Sequence, residues 1–160
     1  MAITQNVRLY HEEGYAGQIA SPLAISNRIT AQNKTDAVIP YGTPVVRDGA
    51  RGCKPFGSTD TEILGILIRD YSFDTAPGAE FGLPPTRTGT VLTLGEIYVV
   101  AGEEVAAGDP VYVGTGTDVL GQFVKSAGSG TTAAVKVDGA VWRKDAAKDG
   151  LSVISLKIGG

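Results

Sequence analysis

Histidine and cysteine are the side chains that most often carry acid–base, nucleophilic or metal chemistry, and each occurs once, as His11 and Cys53. His11 is followed by Glu12 and Glu13, and a histidine held by a carboxylate can act as a general base. Adjacent residues of an extended chain point to opposite sides, so this spacing does not bring a carboxylate onto the imidazole, and His11 reads as a surface residue. Cys53 stands before Lys54, whose ammonium would lower a thiol pKa; a lone cysteine in a β-rich chain reads instead as part of the core. Zinc needs several cysteine or histidine ligands, which the chain lacks. Glu103-Glu104 reads as a solvated turn, since two neighbouring carboxylates make neither a glycosidase pair nor a cation cage. No catalytic residue, metal or cofactor is expected.

Binding motifs are equally sparse. Gly114-Thr-Gly-Thr-Asp118 lacks the third glycine, the lysine and the helix of a phosphate loop. Gly102-Glu-Glu-Val-Ala-Ala-Gly-Asp-Pro-Val111 has the rhythm of lipoyl and biotinyl carriers. The nearest lysine, Lys125, is not in a carrier setting, so the rhythm reads as a tight β-corner. Arg47, Arg51 and Lys54 are diluted by Asp48 and carry no interleaved aromatic for stacking on bases. With a net charge of −3, the chain has no field for gripping a polyanion, and no nucleic-acid partner is expected.

The elements that would position any site are short strands. From Arg28 onward, RITAQ, DAVI, TPVVRD, CKPF and EILGILIRDYSF are rich in Val, Ile, Thr and aromatics and are separated by Gly, Pro or Asp. TVLTL, EIYVV, DPVYVG, LGQFVKS, AAVKV, AVWRK and LSVISLKI follow. Asp74–Gly89 is dense in proline and glycine and reads as a long loop. Gly128–Thr132 reads as a flexible hairpin tip. Single helical turns are expected at most at 60–64 and 144–149. Gly95–Val113 reads as a hairpin with Glu103 and Glu104 at its tip, leading into the Gly108-Asp109-Pro110 corner. Residues 1–20 read as an N-terminal arm with anchors at Tyr15 and Ile19. Residues 21–160 read as a single β domain with the 74–89 excursion. The fold class is all-β: a compact sandwich or barrel of short antiparallel strands with an extended N-terminal arm and a long Pro/Gly loop.

Composition agrees with that architecture. Apolar residues make up 42% of the chain, enough for a core. The 22 glycines are about twice ordinary usage and serve frequent turns. One cysteine cannot form an internal disulfide. The sequence contains no signal peptide and no run near the roughly 18 apolar residues of a membrane span, so a soluble chain with no membrane partner is expected. Asn33-Lys34-Thr35 matches a glycosylation sequon and reads as chance.

A weak internal repeat is visible. Ile39-Pro-Tyr-Gly-Thr-Pro-Val-Val-Arg47 parallels Val105-Ala-Ala-Gly-Asp-Pro-Val-Tyr-Val113, with Gly42, Pro44 and Val45 matching Gly108, Pro110 and Val111. Gly65-Ile-Leu-Ile-Arg69 and Gly139-Ala-Val-Trp-Arg143 follow in the same order. Glycine turns the chain and proline opens a strand where its missing N–H is harmless. Two similar β-corners in one body, of duplicated origin, are expected.

The ordered set GYAGQIA, AVIPYGTPVVRDG, ILGILIRDYS, GEIYVVAGEEVAAGDPVYV and GAVWRKDAAKDGLSVISLKI resembles the capsid cement, or decoration, proteins of tailed bacteriophages. Each motif alone encodes only a β-corner; the order spans most of the chain. The resemblance implies a structural virion protein, made in the bacterial host cytoplasm, on the outer capsid surface. Its partners would be the phage major capsid protein, whose neighbouring subunits it clamps, and itself, as a homodimer or homotrimer. The expected contact residues are Val7, Leu9, Tyr10, Tyr15, Gln18 and Ile19, with Tyr10 and Tyr15 as aromatic anchors. Two alternatives stay open: another phage component such as a tail or baseplate piece, and a small β-barrel enzyme with a site between subunits near Arg69, Asp70, Arg143 and Asp145.

Overall fold

The computed structural model describes residues 14–21, 25–69 and 81–158. Among these residues eleven strands form one nine-stranded sheet and a two-stranded cap. Five of the strands close into a barrel: β1 (Asn27–Asn33), β4 (Gly52–Pro55), β3 (Pro44–Asp48), β5 (Gly65–Leu67) and the first half of β7 (Thr88–Val100). All pairs are antiparallel except β1–β4, which makes the barrel mixed. The cap pairs β2 (Ile39–Pro40) with β6 (Gly82–Leu83).

The second half of β7 leaves this barrel and pairs with β11 (Leu151–Lys157). The sheet continues through β10 (Ala134–Trp142) and β8 (Pro110–Gly114) to β9 (Phe123–Val124). It then returns to the end of β7 through a parallel bridge between Ala101 and Phe123. The hand-over occurs at Gly95, whose φ of 133° is foreign to other residues. A register shift between Asn27 and Arg28 lies opposite it.

The two rings repeat each other bond for bond. Gly42 N–H donates to Leu67 O and Gly108 N–H to Trp142 O, both at 2.8 Å. Leu67 N–H returns to Thr43 O and Trp142 N–H to Asp109 O, at 3.1 and 3.0 Å. Ile68 N–H donates to Thr90 O, and Arg143 N–H to Val153 O, both at 2.8 Å. The parallel seam repeats as Lys34 N–H to Cys53 O and Gly102 N–H to Phe123 O. The Ile39–Leu83 pair of the cap recurs as the Val105–Ala146 bridge. The two β-corners seen in the sequence are therefore equivalent. One detail differs: these bonds align Leu67 with Trp142, so Gly65 corresponds to Ala140 rather than to Gly139.

Equivalent positions are buried alike, because strand alternation sends the same residues inward. Ala31, Ile39, Val45, Cys53, Leu67 and Val91 fill the first ring. Val99, Val105, Val111, Phe123, Trp142 and Ile154 fill the second. The outward residues Val46, Ile66, Ile68 and Leu92 of the first ring join the core of the second, which fuses the two. Trp142 is wholly buried, inside the core of the second ring.

Several local expectations change. Gly95–Val113 is not a hairpin: its two strands lie apart in the sheet, because β7 pairs with β11 and β8 with β10 and β9. No α-helical turn forms at 60–64 or 144–149. Gly130–Thr132 is a 3-10 turn, packed where Asp118 N–H donates to Thr131 O at 3.0 Å. In the Pro/Gly stretch, Gly82–Leu83 are β6 and Thr88-Gly89 already belong to β7; residues 74–80 lie outside the described residues. Asn33 is fully buried, its side chain donating to Ala37 O and Leu83 O, so the sequon is inaccessible.

Candidate interaction site

Residues 14–20 lie along the free edge of the second half of β7. Gly17 N–H donates to Tyr98 O, Tyr98 N–H to Gln18 O, and Ala20 N–H to Glu96 O, at 2.8, 2.9 and 2.9 Å. Ile19 bridges Ile97 and packs against the second core. Gly14 lies so close to the Tyr98 ring that a Cβ there would meet it at 2.6 Å. Gly17 and Gly42 meet backbone to backbone: a Cβ on Gly42 would stand 2.6 Å from Gly17 N.

Beside this edge the Arg69 guanidinium lies against two rings. Its Cζ is 4.5 Å from the Tyr15 centroid and 4.4 Å from that of Phe81, within cation–π range. Phe81 meets Tyr41 edge-on at 5.2 Å. Arg69 N–H donates to Gly17 O at 2.7 Å. Tyr15 and Phe81 stay about half exposed, at 50% and 45%.

The six expected contact residues thus separate. Tyr15 is exposed at the stack. Gln18 supplies its backbone to the β7 ladder, and its side-chain Oε1 accepts from Tyr15 N–H at 3.2 Å. Ile19 is directed at the core. Val7, Leu9 and Tyr10 lie outside the described residues, as does His11. Sequence reasoning missed Phe81, an aromatic inside the Pro/Gly stretch that nothing in the sequence links to Arg69.

The polar residues considered for chemistry hold structural positions. Cys53 is buried in the first ring, and its thiol pKa is raised by burial and then by the nearby Asp48 carboxylate. Glu103 is not at a wet tip: its carboxylate accepts from Lys125 N–H at 2.6 Å and from the Ser126 hydroxyl at 3.3 Å. Arg143 pairs with Glu96 at 3.5 Å. Asp145 accepts from Ala107 N–H at 2.7 Å, bracing the Gly108 corner. Asp70 lies outside the described residues. Among the described residues there is no group of three or more potential metal ligands. No helix there is long and apolar enough to cross a membrane.

The fold is an all-β mixed barrel, built from two fused rings with a strand-like segment at one edge. Residues 3–157 match the model of the phage structural cement protein family (E217 gp24/Pam3 gp6), and the chain belongs to that family. It is a structural, non-enzymatic component of the phage capsid, with which it associates as a cement protein. A chain in the capsid of Myoviridae phage XM1 has the same fold, with a TM-score of 0.73, 20% identity and 98% coverage of both chains. The head fiber gp8.5 N base of bacteriophage phi29 is more distant, with a TM-score of 0.43 and 16% identity over 82% of this chain and 94% of that one. No curated protein sequence matches the chain.

Proposed function

We propose that the protein binds the outer surface of the assembled head and clamps neighbouring major capsid subunits as a homodimer or homotrimer. In this reading residues 1–20 are the arm that makes much of the contact, with Val7, Leu9, Tyr10 and Tyr15 facing the capsid. Residues 21–160 are the body that carries it. The observation that supports this is the anchoring of 14–20 on the β7 edge while Tyr15 keeps half its surface exposed. Gln18 and Ile19 then serve the contact by holding the arm to the body.

Clamping works by linkage. A protein that binds only the assembled shell stabilises it by about RT ln(1 + [L]/Kd) per site. An oligomer reaching several subunits gains avidity, on the order of 10²-fold or more where geometry allows.

The test is co-sedimentation of the full chain with expanded, undecorated heads, alongside its mass in solution. Saturable binding at a fixed ratio to capsid subunits is expected, with a mass of two or three chains. Deleting residues 2–13 leaves the β7 ladder in place and should weaken occupancy. Unchanged occupancy would refute the arm assignment, and a single-chain mass would refute the oligomer.

A further inference from the structure

We propose that Tyr15, Arg69 and Phe81 form a latch that fixes the direction in which the N-terminal arm leaves the body, making Arg69 a positioning residue for capsid binding. The inference rests on the reading that the arm makes the contact.

Three observations carry it. Residue 69 is tied to the arm root twice over, through its backbone N–H to Gly17 O, which any side chain would leave in place, and through its guanidinium against the Tyr15 ring. Phe81 lies against the same guanidinium at 4.4 Å and is itself backed by Tyr41. The stack therefore ties residue 15 to a point fixed on the body.

The repeat supplies an internal control. Ile68 and Leu83 of the first ring correspond to Arg143 and Ala146 of the second. Fourteen residues separate the first pair and two the second. The second ring keeps a cation at the equivalent of Arg69, Lys144, but closes the same ladder in Lys144-Asp145 without an aromatic counterpart of Phe81, so ring closure does not call for the ring that covers Arg69.

The third observation is exposure. With both rings about half exposed, the stack adds little to folding. Holding a contact segment in its bound direction before encounter raises affinity by lowering the ordering cost of binding. Arginine suits this task because its planar group stacks on aromatic rings, which a lysine ammonium does not do.

The experiment uses full-length Arg69→Gln and Arg69→Lys, each also made in the chain lacking residues 2–13. Amide hydrogen exchange reads the latch in the free protein, and co-sedimentation with undecorated heads reads its use. Arg69→Gln should leave the melting midpoint near wild type. It should speed exchange at Gly17 and Ala20 several-fold and weaken head binding roughly 3- to 10-fold, the scale of one cation–π stack. Arg69→Lys should follow it, and neither should alter binding further once 2–13 are gone. Wild-type exchange in both variants would overturn the latch. Equal loss of binding with and without 2–13 would also overturn it, because Arg69 would then touch the capsid directly. If removing 2–13 alone changes nothing, the arm reading fails while the exchange result still decides the latch. Should Arg69→Gln lower the midpoint, Phe81→Leu tests the same stack from its other ring.

Discussion

Thr86 and Asp149 occupy the same position in the two rings. Each has φ of 62°, and they are the two non-glycine residues with positive φ among those described. Each donates its N–H to the end of the strand beside it: Thr86 to Asn33 O, the last residue of β1, at 3.0 Å, and Asp149 to Ala101 O, the residue after β7, at 2.8 Å. The next residues, Arg87 and Gly150, receive the return bonds from Asn33 N–H and Ala101 N–H at 2.8 and 2.9 Å. The turn that opens the closing strand of each ring demands a left-handed residue, and the chain meets that demand with different chemistry.

Asparagine and aspartate tolerate the left-handed region, whereas β-branched threonine is strained there. Thr86→Asn should therefore raise stability by about 0.5–1 kcal/mol, while Asp149→Asn should be near neutral. Urea unfolding of the two variants reads the difference directly. Equal effects would mean that the turn, not the side chain, sets the cost.

Gly42 and Gly108 make a second matched pair, with φ of 77° and 95°. An added Cβ at Gly108 meets nothing within 4 Å, whereas at Gly42 it meets the Gly17 backbone at 2.6 Å. Gly108→Ala should cost about 1 kcal/mol from φ alone. Gly42→Ala should cost more and should also release residues 14–20, visible as faster amide exchange at Gly17 and Ala20.

The two glutamates of the 103–104 turn should separate cleanly. Glu103→Ala strips the carboxylate from Lys125 N–H and the Ser126 hydroxyl and should cost about 1–2 kcal/mol. Glu104 is exposed, and Glu104→Ala should change stability by less than about 0.5 kcal/mol. Thermal melts of both variants suffice.

Cys53 sets a pH dependence with a definite sign. Its pKa is raised in the folded chain, so the native state favours the neutral thiol. The associated stability is fully present below the unfolded thiol pKa and is lost as pH climbs past it toward the higher folded value. Urea midpoints should hold steady up to about pH 9 and then fall, and Cys53→Ala should remove that part of the fall. In the native protein at neutral pH, a thiol reagent should label Cys53 only after unfolding.

Much of this fold is written in local sequence. Gly42-Thr-Pro-Val and Gly108-Asp-Pro-Val encode the two corners, and inward residues such as Val45, Val91 and Ile154 follow from strand alternation. Pairing is not local. EIYVV and DPVYV look like the arms of a hairpin, yet EIYVV pairs with Leu151–Ser155 and DPVYV lies between β10 and β9, because ring closure keeps the two apart. The one-residue slip at Gly139 has the same cause, since a strand's alternation fixes its faces but not its register. The stack at Arg69 is illegible for a related reason: Tyr15, Arg69 and Phe81 are ordinary residues until the fold assembles them. What the sequence did disclose was the order of corners that marks the family.

β7 is one uninterrupted strand of thirteen residues whose first half belongs to one ring and whose second half belongs to the other. A pull that separates the rings therefore runs along a covalent backbone instead of across a joint. To yield, β7 must slide past β1 on one side and β11 on the other, and their ladder bonds resist together, in shear. A capsid cement protein is in this way built around a tension rod, with its strong direction set by a single segment of chain.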